Sequence, residues 1–136
     1  MSKKPILLIE DDRVDAMTVK RALKDLNVSN RLDVKSNGEE ALNYLRNGEN
    51  GKPCIILLDL NMPKMNGLEF LRIVKNDHLL KRIPVVVLTT SADEQDRIES
   101  YSLSIAGYMI KPVDYIHFVE TMRTIQMYWT LSKLPA

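Results

Sequence analysis

Apolar residues along the chain fall into two rhythms. Ile6-Leu7-Leu8-Ile9, Ile55-Ile56-Leu57-Leu58 and Val85-Val86-Val87-Leu88 are unbroken apolar runs, the first preceded by Pro5 and the third by Pro84. Runs this short, without polar alternation, predict strands buried on both faces of a sheet. Arg31 to Lys35 and Gly107 to Ile110 are two weaker strand candidates. Between the runs the spacing becomes helical. Ala16, Val19, Leu23 and Leu26 share one helix face, and Leu68, Leu71 and Val74 share another. Asn37 with Glu40 three residues on is a capping-box variant that opens a helix through Arg46. Asp93 to Ser102 predicts a polar, weakly amphipathic fourth helix. Phe118, Met122, Ile125 and Trp129 give the clearest stripe, on a last helix expected from about residue 114 to 132.

Strand and helix thus alternate as (βα)5. The pattern predicts an α/β fold, a doubly wound parallel five-stranded sheet with right-handed crossovers. Residues 1–136 are expected to form one domain, since the flexible stretch Asn47 to Pro53 is too short to link two. Nineteen basic and eighteen acidic side chains leave a formal charge of +1, which counts against a general nucleic-acid binder. No apolar stretch approaches the ~18 residues of a membrane span. The N-terminus runs into the first strand too soon for a signal peptide. Cys54 is the only cysteine, so no intramolecular disulfide can form, and no Cys/His spacing suits zinc. A cytoplasmic protein without nucleic-acid or membrane partners is expected.

In such a sheet ligands collect beyond the carboxyl ends of the strands, so the residues after each apolar run carry the chemical information. They are Glu10, Asp11 and Asp12; Asp59, followed by Leu60-Asn61-Met62-Pro63; Thr89 and Thr90; and Lys111-Pro112. If the first and third strands are neighbours, Glu10, Asp11 and Asp59 converge and repel one another. Protons or a cation would relieve that repulsion, and an all-oxygen site with open water positions suits Mg²⁺. Lys111 adds a positive charge and Thr89 a hydroxyl donor. The set suits phosphoryl transfer, in which positioning and charge neutralisation dominate, with a carboxylate forming an aspartyl phosphate. Each residue alone has a plainer role, as a helix cap or a solvated loop position. Four at four strand ends supply what one mechanism needs. His78 and His117 read as surface residues, and Cys54 as a small apolar side chain.

Ile9-Glu10-Asp11-Asp12, Leu58-Asp59-Leu60-Asn61-Met62-Pro63, Leu88-Thr89-Thr90 and Ile110-Lys111-Pro112 resemble the signature of response-regulator receiver domains of two-component signalling. The resemblance covers nearly the whole chain. It implies a single receiver domain with strands in the flavodoxin-like order 2-1-3-4-5 and Asp59 as phosphoacceptor, loaded by a sensor histidine kinase. It implies Asp11 as a direct ligand of Mg²⁺ (or another divalent cation such as Mn²⁺), Glu10 acting through water, and the Asn61 backbone carbonyl as a third protein ligand. Thr89 becomes the switch hydroxyl, Lys111 the partner of a phosphoryl oxygen, and Tyr108 the aromatic that turns inward when Thr89 moves. The Lys111–Pro112 bond is expected to be cis. Asn61, Thr90 and Ser91 would line the path of attacking water, and Thr90 replaces a frequent Ala or Gly, which narrows it.

The ending Met127 to Pro135 resembles stand-alone receivers that serve phytochrome-type sensor kinases. Output is then expected through partner binding, self-association or phosphorelay to another histidine protein. No enzyme activity is expected beyond self-catalysed phosphotransfer and slow autodephosphorylation. A homodimer through the fourth helix, last strand and last helix would use Tyr101, Ile105, Tyr128 and Trp129; in a monomer these would pack inside. A phosphohydrolase of the haloacid-dehalogenase type wants a second Asp two residues after the nucleophile, where Asn61 stands and cannot act as general acid. A flavodoxin-like cofactor binder wants a phosphate-cradling loop after the first strand, where Glu10-Asp11-Asp12 would repel phosphate.

Overall fold

The apolar runs become strands because each of their side chains has an apolar layer to enter, above or below the sheet. The structure is a computed structural model that describes residues 4–48, 51–62, 64–90, 92–111 and 114–131. Its elements are β1 (Ile6–Ile9), α1 (Arg13–Asp25), β2 (Leu32–Lys35), α2 (Gly38–Asn47), β3 (Ile55–Leu58), α3 (Gly67–Asn76), β4 (Val85–Thr89), α4 (Glu94–Ser102), β5 (Gly107–Ile110) and α5 (Tyr115–Leu131), with one 3-10 turn at Leu80–Arg82. All strand pairs are parallel, as the alternation predicts, and the order is β2-β1-β3-β4-β5, as the receiver-domain resemblance implies.

Successive strand residues point to opposite faces, so each of the central strands β1, β3 and β4 feeds two cores. Leu7, Ile9, Ile56, Leu58, Val85 and Val87 meet Ala41, Leu42, Phe70, Leu71 and Val74 of α2 and α3. Ile6, Leu8, Ile55, Leu57, Val86 and Leu88 meet Val19, Ala22 and Leu23 of α1 and Phe118, Met122 and Ile125 of α5. Burying one such side chain stabilises by ~1.5–3 kcal/mol. α4 leans on α3 and β5 with little apolar surface, and among its side chains only Ser100 is buried. No helix among the described residues is long and apolar enough to cross a membrane.

Two of the side chains expected at a dimer surface lie elsewhere. Ile105 is buried in the α2/α3 layer. The chain leaves α4 through a left-handed Ser104 (φ 62°), and the Ala106 N–H already donates to the Val85 carbonyl at 2.8 Å, so Ile105 is drawn in beside the sheet. Trp129 is half-buried against the α1/α5 layer, the continuation of its own helical stripe. Tyr101 and Tyr128 are exposed.

Among the described residues each α-helix starts on an Asp or Asn whose side chain accepts a hydrogen bond from a first-turn N–H. The caps are Asp12 (from Asp15, 3.0 Å), Asn37 (from Glu40, 3.0 Å), Asn66 (from Glu69, 3.0 Å), Asp93 (from Gln95, 2.8 Å) and Asp114 (from His117, 2.9 Å). Such caps contribute about 1 kcal/mol each. The Glu40 side chain returns to the Ser36 N–H at 3.3 Å, one residue before the position a capping box would use.

Gly67, at the start of α3, sits against the strand end that carries Asp59. Its N–H donates to the Leu60 carbonyl at 3.0 Å, and an added Cβ would fall 2.6 Å from the Asp59 carbonyl oxygen and 2.6 Å from Leu60 Cα. At Gly38 the nearest atom to an added Cβ is Met65 Sδ at 2.8 Å, part of a flexible side chain. Gly67→Ala is therefore expected to destabilise by ~1–3 kcal/mol, and Gly38→Ala by clearly less, in paired urea denaturations. Equal losses would contradict a rigid approach at Gly67.

Candidate functional site

The sheet reverses its direction of growth between β1 and β3, and both strands end in acids. The Glu10 N–H still bonds to the Lys35 carbonyl (2.9 Å) and the Asp59 N–H to the Ile9 carbonyl (3.1 Å), so ladder hydrogen bonds carry both residues past the strand ends. On the far side of β3, the Lys111 N–H donates to the Thr89 carbonyl at 2.8 Å. Backbone geometry thus sets four of the expected residues before any side chain acts.

Carboxylate oxygens of Glu10, Asp11 and Asp59 lie within 4.8 Å of one another, with Glu10 and Asp59 buried and Asp11 exposed. Thr89 Oγ1 donates to Asp59 Oδ1 at 2.7 Å, and the Asn61 N–H approaches the same oxygen at 3.3 Å. Lys111 Nζ donates to Glu10 Oε1 and, at 2.8 Å, to Asp15 Oδ2, while Asp59 Oδ2 stands 3.8 Å away. The expected residues Glu10, Asp11, Asp59, Thr89 and Lys111 are therefore brought together. Asn61 shares with Asp11 an open cleft of about 570 Å³ beside them. Tyr108 is half-buried against the α2/α3 layer. Thr90 is exposed. Pro63, Ser91 and the Lys111–Pro112 bond expected to be cis lie outside the described residues.

Burial pushes the Glu10 carboxyl up to about 7; the Lys111 hydrogen bond pulls it back, and the Asp59 charge raises it further. Burial also works against the Lys111 ammonium, but the hydrogen bonds to Asp15 and Glu10 and the Asp59 charge outweigh it, and its pKa lies above the ordinary value. The donor set is all oxygen, part buried and part open to water, without His or Cys. That composition fits a hard divalent cation that keeps some of its waters.

Asp15 escaped the sequence reading. No apolar run precedes it; its signal is its place three residues after the cap Asp12, on the first turn of α1 above the strand ends. From there it reaches Lys111, 96 residues away in sequence.

Residues 6–123 match the response regulator receiver domain. The chain is 40% identical over 127 residues to the probable methanogenesis regulatory protein FilR2 of Methanothrix harundinacea, covering 91% of this chain and 82% of that one. It is 39% identical over 130 residues to the response regulator Rcp1 of Synechocystis, covering 93% and 88%. The crystal structure of manganese-bound Rcp1 superposes with a TM-score of 0.89, covering 98% of this chain and 100% of that one. The phosphorylated cyanobacterial phytochrome response regulator RcpA superposes with a TM-score of 0.92 at 36% identity, covering 99% and 100%.

With its pKa raised from 4.5 to about 7, Glu10 holds a proton more tightly in the folded than in the unfolded state. Its contribution to stability is complete at low pH and is lost as the pH rises through about 7. In metal-free protein, stability from this group should fall by about 2–3 kcal/mol between about pH 5 and pH 8. Glu10→Gln should flatten that slope in urea titrations with EDTA. A parent and variant with the same slope would contradict the assignment.

Proposed function

The chain belongs to the response regulator receiver domain family, and on that footing we propose that Asp59 accepts a phosphoryl group from a phosphohistidine on a sensor histidine kinase. The observation that carries this reading is the setting of the Asp59 carboxylate, buried, hydrogen-bonded by Thr89 and facing Lys111 among further acids. An Asp59 oxygen attacks phosphorus, the P–N bond of the phosphohistidine breaks, and the bonding pair stays on the imidazole nitrogen. Lys111 compensates charge on the transferring oxygens, and Thr89 offers its hydroxyl to the product. Asp11 and Asp59, with Glu10 through water and the Asn61 carbonyl, would hold a divalent cation, Mg²⁺ in our reading, which neutralises phosphoryl oxygens when bound.

Aspartyl phosphate adds ~1.5–2 negative charges and new acceptor oxygens. Thr89 and Lys111 are the donors nearest to them, and Thr89 ends β4, the neighbour of β5 and Tyr108. A shift there reaches the face made by α4, β5 and α5, where Tyr101, Ile110 and Tyr128 are exposed. That face is our candidate for partner exchange or self-association. The likeness to the phytochrome response regulator RcpA supports a phytochrome-type kinase as the donor.

Asp59→Asn is expected to reduce acid-labile labelling by a small phosphodonor to background, and EDTA should do the same to the unmutated protein. Stoichiometric labelling that persists in the variant would move the acceptor elsewhere. Phosphotransfer from a panel of sensor kinases, phytochrome-type included, tests the donor.

A further inference from the structure

Lys111 has three N–H donors and carboxylates on three sides. Two hold it by hydrogen bonds, Glu10 and Asp15, while Asp59 remains at 3.8 Å, beyond hydrogen-bond reach. The two holders differ in setting. The Glu10 side chain is 1% exposed, and that of Asp15 is 39% exposed. Asp15 and Lys111 line a cavity of about 350 Å³ between α1 and α5 that also includes Arg21, Asp114 and Tyr115. The Asp15 bond is thus the one water can replace.

The local chain frees Asp15 for this contact. Three residues after a cap, an acidic side chain would ordinarily turn back to the N–H of the cap residue. Here the Asp12 N–H is met by Glu10 Oε2 at 3.3 Å, and Asp12 itself caps the Asp15 N–H at 3.0 Å. The Asp15 carboxylate has no part in closing the helix end, and its hydrogen bond goes to Lys111.

We infer that Asp15 is a positioning residue, a resting counterion that holds the Lys111 ammonium back from Asp59 until a phosphoryl group competes for it. The inference rests on the reading of Asp59 as phosphoacceptor. Charge added at Asp59 draws Lys111 across the gap; Glu10, whose carboxylate lies within 4.8 Å of that of Asp59, can remain its partner, and the Asp15 bond is exchanged for one to a phosphoryl oxygen. Asp15 therefore opposes the phosphorylated state by competing for the lysine, and its removal favours that state.

Beryllofluoride, a phosphoryl mimic, tests this by calorimetric titration of the full chain with Mg²⁺. Asp15→Asn is expected to bind it about three- to fivefold more tightly than the parent, the scale of a half-exposed ion pair. Asp114→Asn, which removes an equal charge from the same cavity at a residue bonded to His117, should leave the affinity unchanged. In metal-free protein, Asp15→Asn should also speed exchange of the Lys111 ammonium protons in nitrogen-15 NMR of lysine side chains. An Asp15→Asn affinity that is unchanged or weaker, an equal gain in Asp114→Asn, or unaltered proton exchange would each overturn the counterion role alone. A parent that fails to bind beryllofluoride, or Asp59→Asn that still binds it, would overturn the phosphoacceptor reading and this inference together.

Discussion

Glu10, Asp11 and Asp59 bring carboxylate oxygens within 4.8 Å of one another, two of them buried. At that range, and with water partly excluded, like charges cost several kcal/mol. Lys111 makes the arrangement tolerable: it is hydrogen-bonded to Glu10 and Asp15, 3.8 Å from Asp59, and has its own pKa raised by them. The balance is incomplete, since Glu10 still titrates near neutrality. A site with acid left over after its lysine is counted is built to receive more positive charge, and this is the physical basis on which a divalent cation is expected there.

The scaffold holds this crowding with backbone. Asp59 and Lys111 are each fixed by a hydrogen bond that extends the ladder by one rung, to Ile9 and Thr89. Gly67 lets the start of α3 press against the Asp59 carbonyl, at a distance no side chain would permit. The strands beneath are apolar on both faces, so they cannot rotate to relieve strain at their ends without exposing one layer or the other. Repulsion among the acids is therefore borne by a rigid frame, and the mobile parts of the site are side-chain ends.

Much of this was legible in the residues. The unbroken runs at Ile6, Ile55 and Val85 marked strands buried on both sides, and their carboxyl ends pointed to Glu10, Asp11, Asp59 and Thr89, as the end of the weaker fifth strand did to Lys111. What escaped depends on direction in space. Phe70 lies between Leu68 and Leu71 in a helical stripe, and only the packed layer shows it to be fully buried where Leu68 is not. For Ile105 the residues left a dimer surface and a place inside both open, and the turn at Ser104 brings it beside β4. Asp15 reads as an ordinary first-turn acid, and its bond to Lys111 joins residues that nothing in local spacing relates. Propensity and period are local; these placements are set by tertiary contacts.

The Asx caps have a consequence for how anions are handled. In a parallel sheet with helical crossovers every helix starts at the rim where the strands end, so the positive ends of the helix dipoles face the acidic cluster. On many folds of this architecture a bare helix start binds phosphate directly. Here Asp12 closes the start of α1, and Asp12 and Asp15 both sit within its favourable field. With these side chains at its positive end, the dipole leaves little attraction for an incoming anion. On the proposed reading, affinity for phosphoryl groups at this rim is therefore conditional: among the described residues the Lys111 ammonium is the cation held within the acidic cluster, and a divalent ion, if bound, would supply the rest of the attraction.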